Sequence, residues 1–459
     1  MIGRSIEPEI RALVDARDFA TLKDIFRDWH PSDLAEVIDE LPDEDEVIVF
    51  RLLPRTLAAQ TYEHLTHDKQ AALLKAMGQE QVAYILNDMS PDDRTALFEE
   101  LPSVAVQQLI SLLTPDERAT AQALLNYPED SIGRLMTPDY IAVRQEWTVQ
   151  EVLNYVRTNG ADKETLNVVY VVDETGKLID DIRIREFLLA PLEKRVSEMM
   201  DKHCVWLNVY AERESAVASF SKYDRTALPV VDSDQHLVGI VTVDDVLEVA
   251  EQRTTEDMHK IGGMEALDEP YMNISLLRMV KKRAGWLVIL FVGEMLTATA
   301  MGFFENEIAK AVVLALFVPL IISSGGNAGS QATTLIIRAM AIGEVNLTAW
   351  WRVMRREFLA GLLLGCILGI IGFLRIAGWS FFSDIYGTHW LLVAGTVAVS
   401  LVGVVMWGSL IGSMMPFILQ RFGADPATSS APFVATLVDV TGLVIYFSVA
   451  FFILRGSLL

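Results

Sequence analysis

One aspartate stands inside the most apolar stretch of the chain. Ala431–Leu454 reads APFVATLVDVTGLVIYFSVAFFIL, 24 residues in which Asp439 is the single charge. At about 1.5 Å rise per residue such a helix can cross a bilayer core. With Ala431 at one face, Asp439 sits roughly 12 Å deep. An ionised carboxylate there costs at least ~2.5 kcal/mol unless it meets water, a cation or a partner. A protonated acid bonding to a neighbouring helix is the ordinary reading, and a cation site in a pore is the sharper one. The pore reading is favoured because no Lys or Arg of residues 284–459 stands at a similar depth. Glu294, inside the apolar run 284–304, is a second such acid, expected to face a pore or a hydrogen-bond partner rather than lipid. In a further apolar run, Pro319 and then Ser323-Ser324-Gly325-Gly326-Asn327-Ala328-Gly329-Ser330-Gln331 interrupt the pattern. Kinked or non-helical backbone is expected there, lining protein or a wet cavity, with Asn327 and Gln331 offering neutral oxygens.

More candidate ligands lie outside the apolar half. Residues 284–459 hold eight acids and eight bases, so the whole net charge of −23 falls on residues 1–283. So acidic a region repels nucleic acid and attracts cations. Its acids thicken at Glu212, Glu214, Asp224, Asp245, Glu248, Glu256 and Asp257. Clustered carboxylates are what hard divalent cations take, while a solvated helix face is the default for any one of them. Cys204 and Cys366 fall in different regions, so neither a disulfide framework nor a thiolate metal site is supported. No GxxxxGK[ST] motif occurs, which argues against an ATP-driven pump.

Five spans must position the membrane acids: 284–304, 311–341, 358–377, 390–418 and 431–454. Lys281-Lys282-Arg283 marks the cytoplasmic edge. Arg352, Arg355 and Arg356 between spans two and three, and Arg421 between four and five, belong to the same side. That puts the N-terminus in the cytoplasm and the C-terminus outside. Charges at Arg4, Glu7 and Glu9 with no apolar core predict no cleavable signal peptide. Gly361, Gly365 and Gly369 recur every four residues in span three, a face for close helix packing.

The soluble half divides by pattern. Residues 1–130 read as short helices cut by proline about every dozen residues, a helical superhelix. Residues 131–252 repeat one plan twice, an apolar strand ending in Val-Val-Asp at 171–173 and again at 230–232, then a turn, a strand and a helix. This resembles a tandem pair of CBS domains, α/β modules that often bind adenosine nucleotides. The second copy carries the fuller signature, Gly239-Ile-Val-Thr242-x-x-Asp245, so Thr242 and Asp245 are the candidates for ribose and phosphate, with a plain helix N-cap as the even alternative for Thr242. The first copy has Asp180-Asp181, Arg183 and Glu186 at the matching positions.

Pro319 with GGNAGSQ (325–331), ADPA (424–427) and PFVATLVDVTGL (432–443) make the whole chain resemble the MgtE family of magnesium channels. The order of parts matches throughout: helical domain 1–130, YPEDSIGRLMTP at the junction, CBS domains 131–196 and 197–250, linking helix 251–280, membrane domain 281–459. The resemblance implies a multidomain inner-membrane protein and a homodimer with one pore for Mg2+, with Mn2+ and Co2+ as further candidate cargo. It implies that Asp439 is the pore carboxylate, lined by Asn327 and the Ala435 carbonyl. It implies regulatory Mg2+ at Glu212, Glu214, Asp224, Asp245, Glu248, Glu256, Asp257 and Asp425, with Arg253 departing from an expected acid. ATP at the second CBS copy follows from the same resemblance. A proton-coupled divalent-cation transporter and a non-transporting membrane-anchored sensor are the alternatives; the chain is not expected to be an enzyme.

Overall fold

The structure, a computed structural model, describes residues 2–267, 271–272 and 274–455. They form two compact units, Met1–Glu251 and Gln252–Leu459. The first begins with ten short helices: α1 (Ile2–Asp15), α2 (Phe19–Phe26), α3 (Pro31–Glu40), α4 (Asp43–Leu52), α5 (Arg55–Glu63), α6 (His67–Ala76), α7 (Gln79–Asp88), α8 (Pro91–Glu100), α9 (Ser103–Leu112) and α10 (Pro115–Leu125). Six of the middle helices stop on an apolar residue in extended conformation, at Leu41, Leu53, Met77, Met89, Leu101 and Leu113, while α5 ends at His64 in the helical region. At Leu41, Leu53 and Leu101 the next residue is proline, whose ring pushes its predecessor out of the helical region. Leu41, Leu53, Met89 and Leu113 are buried, so the helix stop also supplies the core.

The twelve-residue period is in fact half of a longer one. The backbone N–H of Thr66 donates to Asp39 (3.5 Å), that of Ser90 to Glu63 (3.0 Å) and that of Thr114 to Asn87 (2.7 Å). Each bond spans 27 residues, so a helix start is held by the end of the helix three places earlier. Stacked helix pairs with one continuous core are the physical consequence, since no single short helix can bury its apolar face.

A short α11 (Ile132–Leu135) leads into two three-stranded sheets. In the first, β1 (Ala142–Arg144), β2 (Val168–Val172) and β3 (Leu178–Arg183) follow in order, with α12 (Val149–Asn159) and α13 (Ile184–Leu189) beside them. In the second, β4 (Leu207–Asn208), β5 (Ala227–Val231) and β6 (Leu237–Thr242) repeat that order, with α14 (Glu214–Tyr223) and α15 (Val243–Ile261). In both copies the first pair is parallel and the second antiparallel. β2 and β5 are buried along their whole length, as continuous Val-rich runs require of a central strand. Gly239 has a packing cause: a Cβ there would meet Met136 Sδ at 2.7 Å and the Thr137 carbonyl at 2.9 Å. Thr137 and Ile240 exchange backbone bonds of 2.9 Å at that crossing.

Among the described residues of the second unit five helices are long and apolar enough to cross a membrane: α16 (Leu276–Phe303), then, after α17 (Glu305–Lys310), α18 (Val318–Ala341), α19 (Trp350–Ser380), α20 (Trp390–Arg421) and α21 (Ala431–Leu454). Two expectations change here. The basic groups Lys281–Arg283 and Arg352, Arg355 and Arg356 lie inside α16 and α19, because the helices run on past the apolar segments. The interrupted stretch 323–331 is not non-helical; α18 runs through it, with Pro319 in its first turn, where a missing N–H costs nothing. Its glycines serve approach instead. A Cβ on Gly408 or Gly412 would run into the carbonyls of Gly325 and Gly329, and one on Gly325 would meet Val404 Cγ1 at 2.5 Å. Gly361, Gly365 and Gly369 likewise bring α19 against Met406, Val402 and Ala398 of α20. Backbones this close gain packing that lipid cannot supply.

Gly408→Ala should therefore lower the stability of the detergent-solubilised protein by about 1–3 kcal/mol through backbone overpacking. Gly395→Ala, in the same helix with nothing within 4 Å of the added Cβ, is the control. Equal thermal midpoints for the two variants would remove the close crossing.

Candidate functional site

α21 carries Asp439 toward α18. The residue it meets is Gly326, where an added Cβ would lie 3.4 Å from Asp439 Oδ1 and 3.4 Å from Ala435 Cβ. Ala435, one helical turn before Asp439, shares this seam with it, and Asn327 follows Gly326 on α18. Asp439 and Ala435 are half-buried and Asn327 is exposed, its amide donating to Ser323 Oγ at 3.4 Å. Among the described residues Asp439 has no ion pair and no hydrogen bond. Two residues on, Trp407 Nε1 donates to Thr441 Oγ1 at 2.9 Å and ties α20 to the same stretch of α21. The groups available to a ligand are thus oxygen donors and one carboxylate, a set for a hard cation that keeps most of its water.

Beside the membrane helices a second carboxylate group is held by a lysine. Lys260 Nζ donates to Asp425 Oδ2 at 2.9 Å and to Glu256 Oε2 at 3.4 Å. Arg253 Nε lies 3.7 Å from Asp257. Glu256, Asp257 and Asp425, expected as metal ligands, are therefore met here by side-chain cations. Burial alone would raise the Asp425 carboxyl, but the Lys260 bond and the Ala427 N–H hold it below the ordinary value. Asp257 is pushed up, by burial first. Past α15 the chain turns at Gly263, with φ +72°, and a Cβ there would meet Pro432 at 3.3 Å and Ser430 Oγ at 3.4 Å, at the start of α21. The end of α15 is thereby docked on the helix that carries Asp439.

The first unit holds a third group, most of which the sequence reading did not single out. Asp245, at the start of α15, accepts from Thr242 Oγ1 at 2.6 Å and sits among Asp92 and Asp93 of α8, Glu164 and Asp244. Asp92 is 7% exposed, and its Oδ1 is buried with no hydrogen-bond partner. Burial and the neighbouring acids push Asp92 and Asp93 up, and bring Glu63 and Asp245 to about 7. Paired acids at two helix starts are what first-turn dipole pairing also favours, so the sequence carried no sign that Asp92-Asp93 and Asp244-Asp245 face one another. Thr242 is buried, and its hydroxyl and its backbone N–H both donate to Asp245 Oδ2, at 2.6 and 3.4 Å.

The remaining expected ligands are spread out. Glu212 and Glu214 stand at the start of α14 and Asp224 closes it in the left-handed region, a helix length away. Glu248 is exposed on α15. In the first copy Asp180 is fully buried, accepting from the Lys202 and Asp181 N–H groups, and Asp181 pairs with Arg225 at 2.9 Å, so these acids hold the fold.

Comparison with known proteins follows the same division. A family model described as "Divalent cation transporter" matches residues 318–449, "MgtE intracellular N domain" matches 29–130, and "CBS domain" matches 132–193 and 196–251. The magnesium transporter MgtE of Thermus thermophilus is 40% identical over 463 residues, covering 96% of each chain. That of Bacillus subtilis is 28% identical, covering 93% of this chain and 95% of its own. A solved cytosolic domain of the Mg2+ channel MgtE in complex with ATP is 38% identical with a TM-score of 0.51, covering 53% of this chain and 99% of that one.

In chelator, Asp92→Asn should raise the unfolding free energy of the first unit by more than about 1 kcal/mol, and its midpoint with it, because it removes a buried like charge. A midpoint at or below that of the parent would show that the acids are not crowded. The same substitution should erase any stabilisation by added Mg2+.

Proposed function

The chain belongs to the MgtE family of magnesium transporters, and from that premise we propose that it is a magnesium-selective channel closed by cytoplasmic Mg2+. The family places it among multi-pass membrane proteins and not among enzymes. The observation that carries the reading is Asp439: a carboxylate in the middle of a membrane helix, without a partner among the described residues, set against a glycine of α18. Mg2+ sheds water reluctantly and prefers one or two carboxylates with several waters retained. One Asp439 from each subunit of a homodimer, with Asn327 and the Ala435 carbonyl, would hold the hydrated ion strongly enough to select it and weakly enough to release it. The resting orientation is N-terminus in the cytoplasm of the inner membrane and C-terminus outside; Mn2+ and Co2+ are candidate cargo by the same donor set.

Gating is read from the two outer carboxylate groups. Asp92 with an unpartnered buried oxygen, and Asp245 beside it, make a pocket of oxygens in which a divalent cation replaces repulsion by shared ligation. Glu212, Glu214, Asp224 and Glu248 would add ligands where subunits or domains meet, and Glu256, Asp257 and Asp425 where the linking helix docks. Several weak sites closing together give a steep response to concentration. ATP enters as a second ligand because a 38% identical cytosolic domain was solved with it. At Thr242 and Asp245 a triphosphate would meet Asp92 and Asp93, so binding there requires Mg2+ to come with it.

Asp439→Ala should abolish Mg2+-selective uptake into proteoliposomes while the dimer still assembles in gel filtration. Selective uptake at the parental rate would end the pore reading, and uptake that follows an imposed pH gradient would make Asp439 a proton carrier instead. Glu256→Ala with Asp257→Ala should leave the pore conducting at internal Mg2+ that shuts the parent. Closure at the parental concentration would take the gate away from the linking helix.

A further inference from the structure

Glu294 is the sole charge in residues 284–304, eleven residues past Arg283 and so about 16 Å along α16. That depth is close to that of Asp439. α16 touches α21 at this level: a Cβ on Gly293 would lie 2.9 Å from Thr436 Cγ2, one residue before Glu294 on one helix and three before Asp439 on the other. The two carboxylates are electrostatic neighbours. Glu294 is exposed in the single chain, and among the described residues no hydrogen bond and no basic side chain accompanies it. One turn further along α16, Thr297 is 7% exposed and its Oγ1 has no partner. A helical threonine ordinarily returns its hydroxyl to the carbonyl four residues back, as Thr436 does to Pro432 at 3.0 Å and Thr441 to Leu437 at 2.8 Å. Two unpaired carboxylates at one level of adjoining helices are an arrangement of oxygens that water and a cation would complete.

We propose that Glu294 is a second carboxylate of the cation pathway, holding the water shell of the ion together with Asp439. The inference rests on the pore reading of Asp439. Both charges at one level make each half-site dianionic, which favours a divalent over a monovalent ion. Contact through retained water keeps binding loose enough for release.

The test uses full-length protein in proteoliposomes, with Mg2+ uptake and Mg2+-over-Na+ selectivity as readouts. One unit of negative charge beside a divalent ion is worth at least about tenfold in occupancy at the effective dielectric of a partly wet site. Glu294→Gln and Glu294→Met, the latter apolar and of similar volume, should both raise half-saturating Mg2+ by about that factor and lower selectivity, with gel-filtration profiles unchanged. Glu294→Asp should recover part of the loss. Parental half-saturation and selectivity in the Gln and Met variants, beside an Asp439→Asn variant that has lost them, would place Glu294 outside the pathway. Failure of both the Gln and Met variants to assemble would make it a structural acid and equally overturn the proposal. An Asp439→Asn variant that keeps parental selectivity would instead bring down the pore reading itself.

Discussion

A carboxylate in the middle of a membrane helix cannot be left facing hydrocarbon; either it is protonated and bonded, or it is paired, or it is wet. Asp439 has neither an ion pair nor a hydrogen bond among the described residues, and the neighbour set against it is a glycine. Everything around it follows from keeping that carboxylate accessible. α18 must approach α21 closely without filling the space, which Gly326 permits. α20 must in turn approach α18, and Gly325, Gly329, Gly408 and Gly412 make that possible backbone to backbone. Two polar side chains reach carbonyls of other helices: Thr333 donates to that of Gly412 at 2.9 Å and Tyr446 to that of Leu314 at 2.9 Å. Such bonds satisfy helix carbonyls in a medium without water and leave Asp439 and its neighbour Glu294 as unsettled charges.

The soluble half manages charge in a contrasting way. It carries the whole negative excess of the protein, and its acids are met by different devices. Asp181 has Arg225, and Asp425 has Lys260, while Asp92 and Asp245 have mainly one another. The first two are settled within the chain. The third is under electrostatic stress that a divalent cation relieves, and it is the part whose state depends on the solution. Lys260 gives the linking helix a hold on the Asp425 loop that needs no metal, so a cation there would act against an existing ion pair rather than into empty space.

Much was legible in the residues. Prolines after leucine marked the ends of the short helices, because a residue before proline leaves the helical region. Two Val-Val-Asp strands marked a repeated sheet, and Asp439 in an apolar run marked the pore candidate. The glycine stripe of α19 was read as packing and packs against α20. The break expected from Pro319 and the serine-glycine run is absent, since proline falls in a first turn and glycine is tolerated wherever another backbone takes up the space.

Sequence alone determined which segments are apolar enough for a membrane, where short helices must stop, and which charges have no counter-charge nearby along the chain. These are local properties, fixed by hydropathy, proline geometry and spacing. Tertiary structure decided which of the many acids meet. Asp92 and Asp245 are 153 residues apart, and Lys260 and Asp425 are 165 apart. No periodicity links such positions, and an acid at a helix start looks the same whether it faces water, a lysine or another acid. Only the packing of one element on another fixes which of these holds, because a carboxylate's partner is set by distance in space and not along the chain.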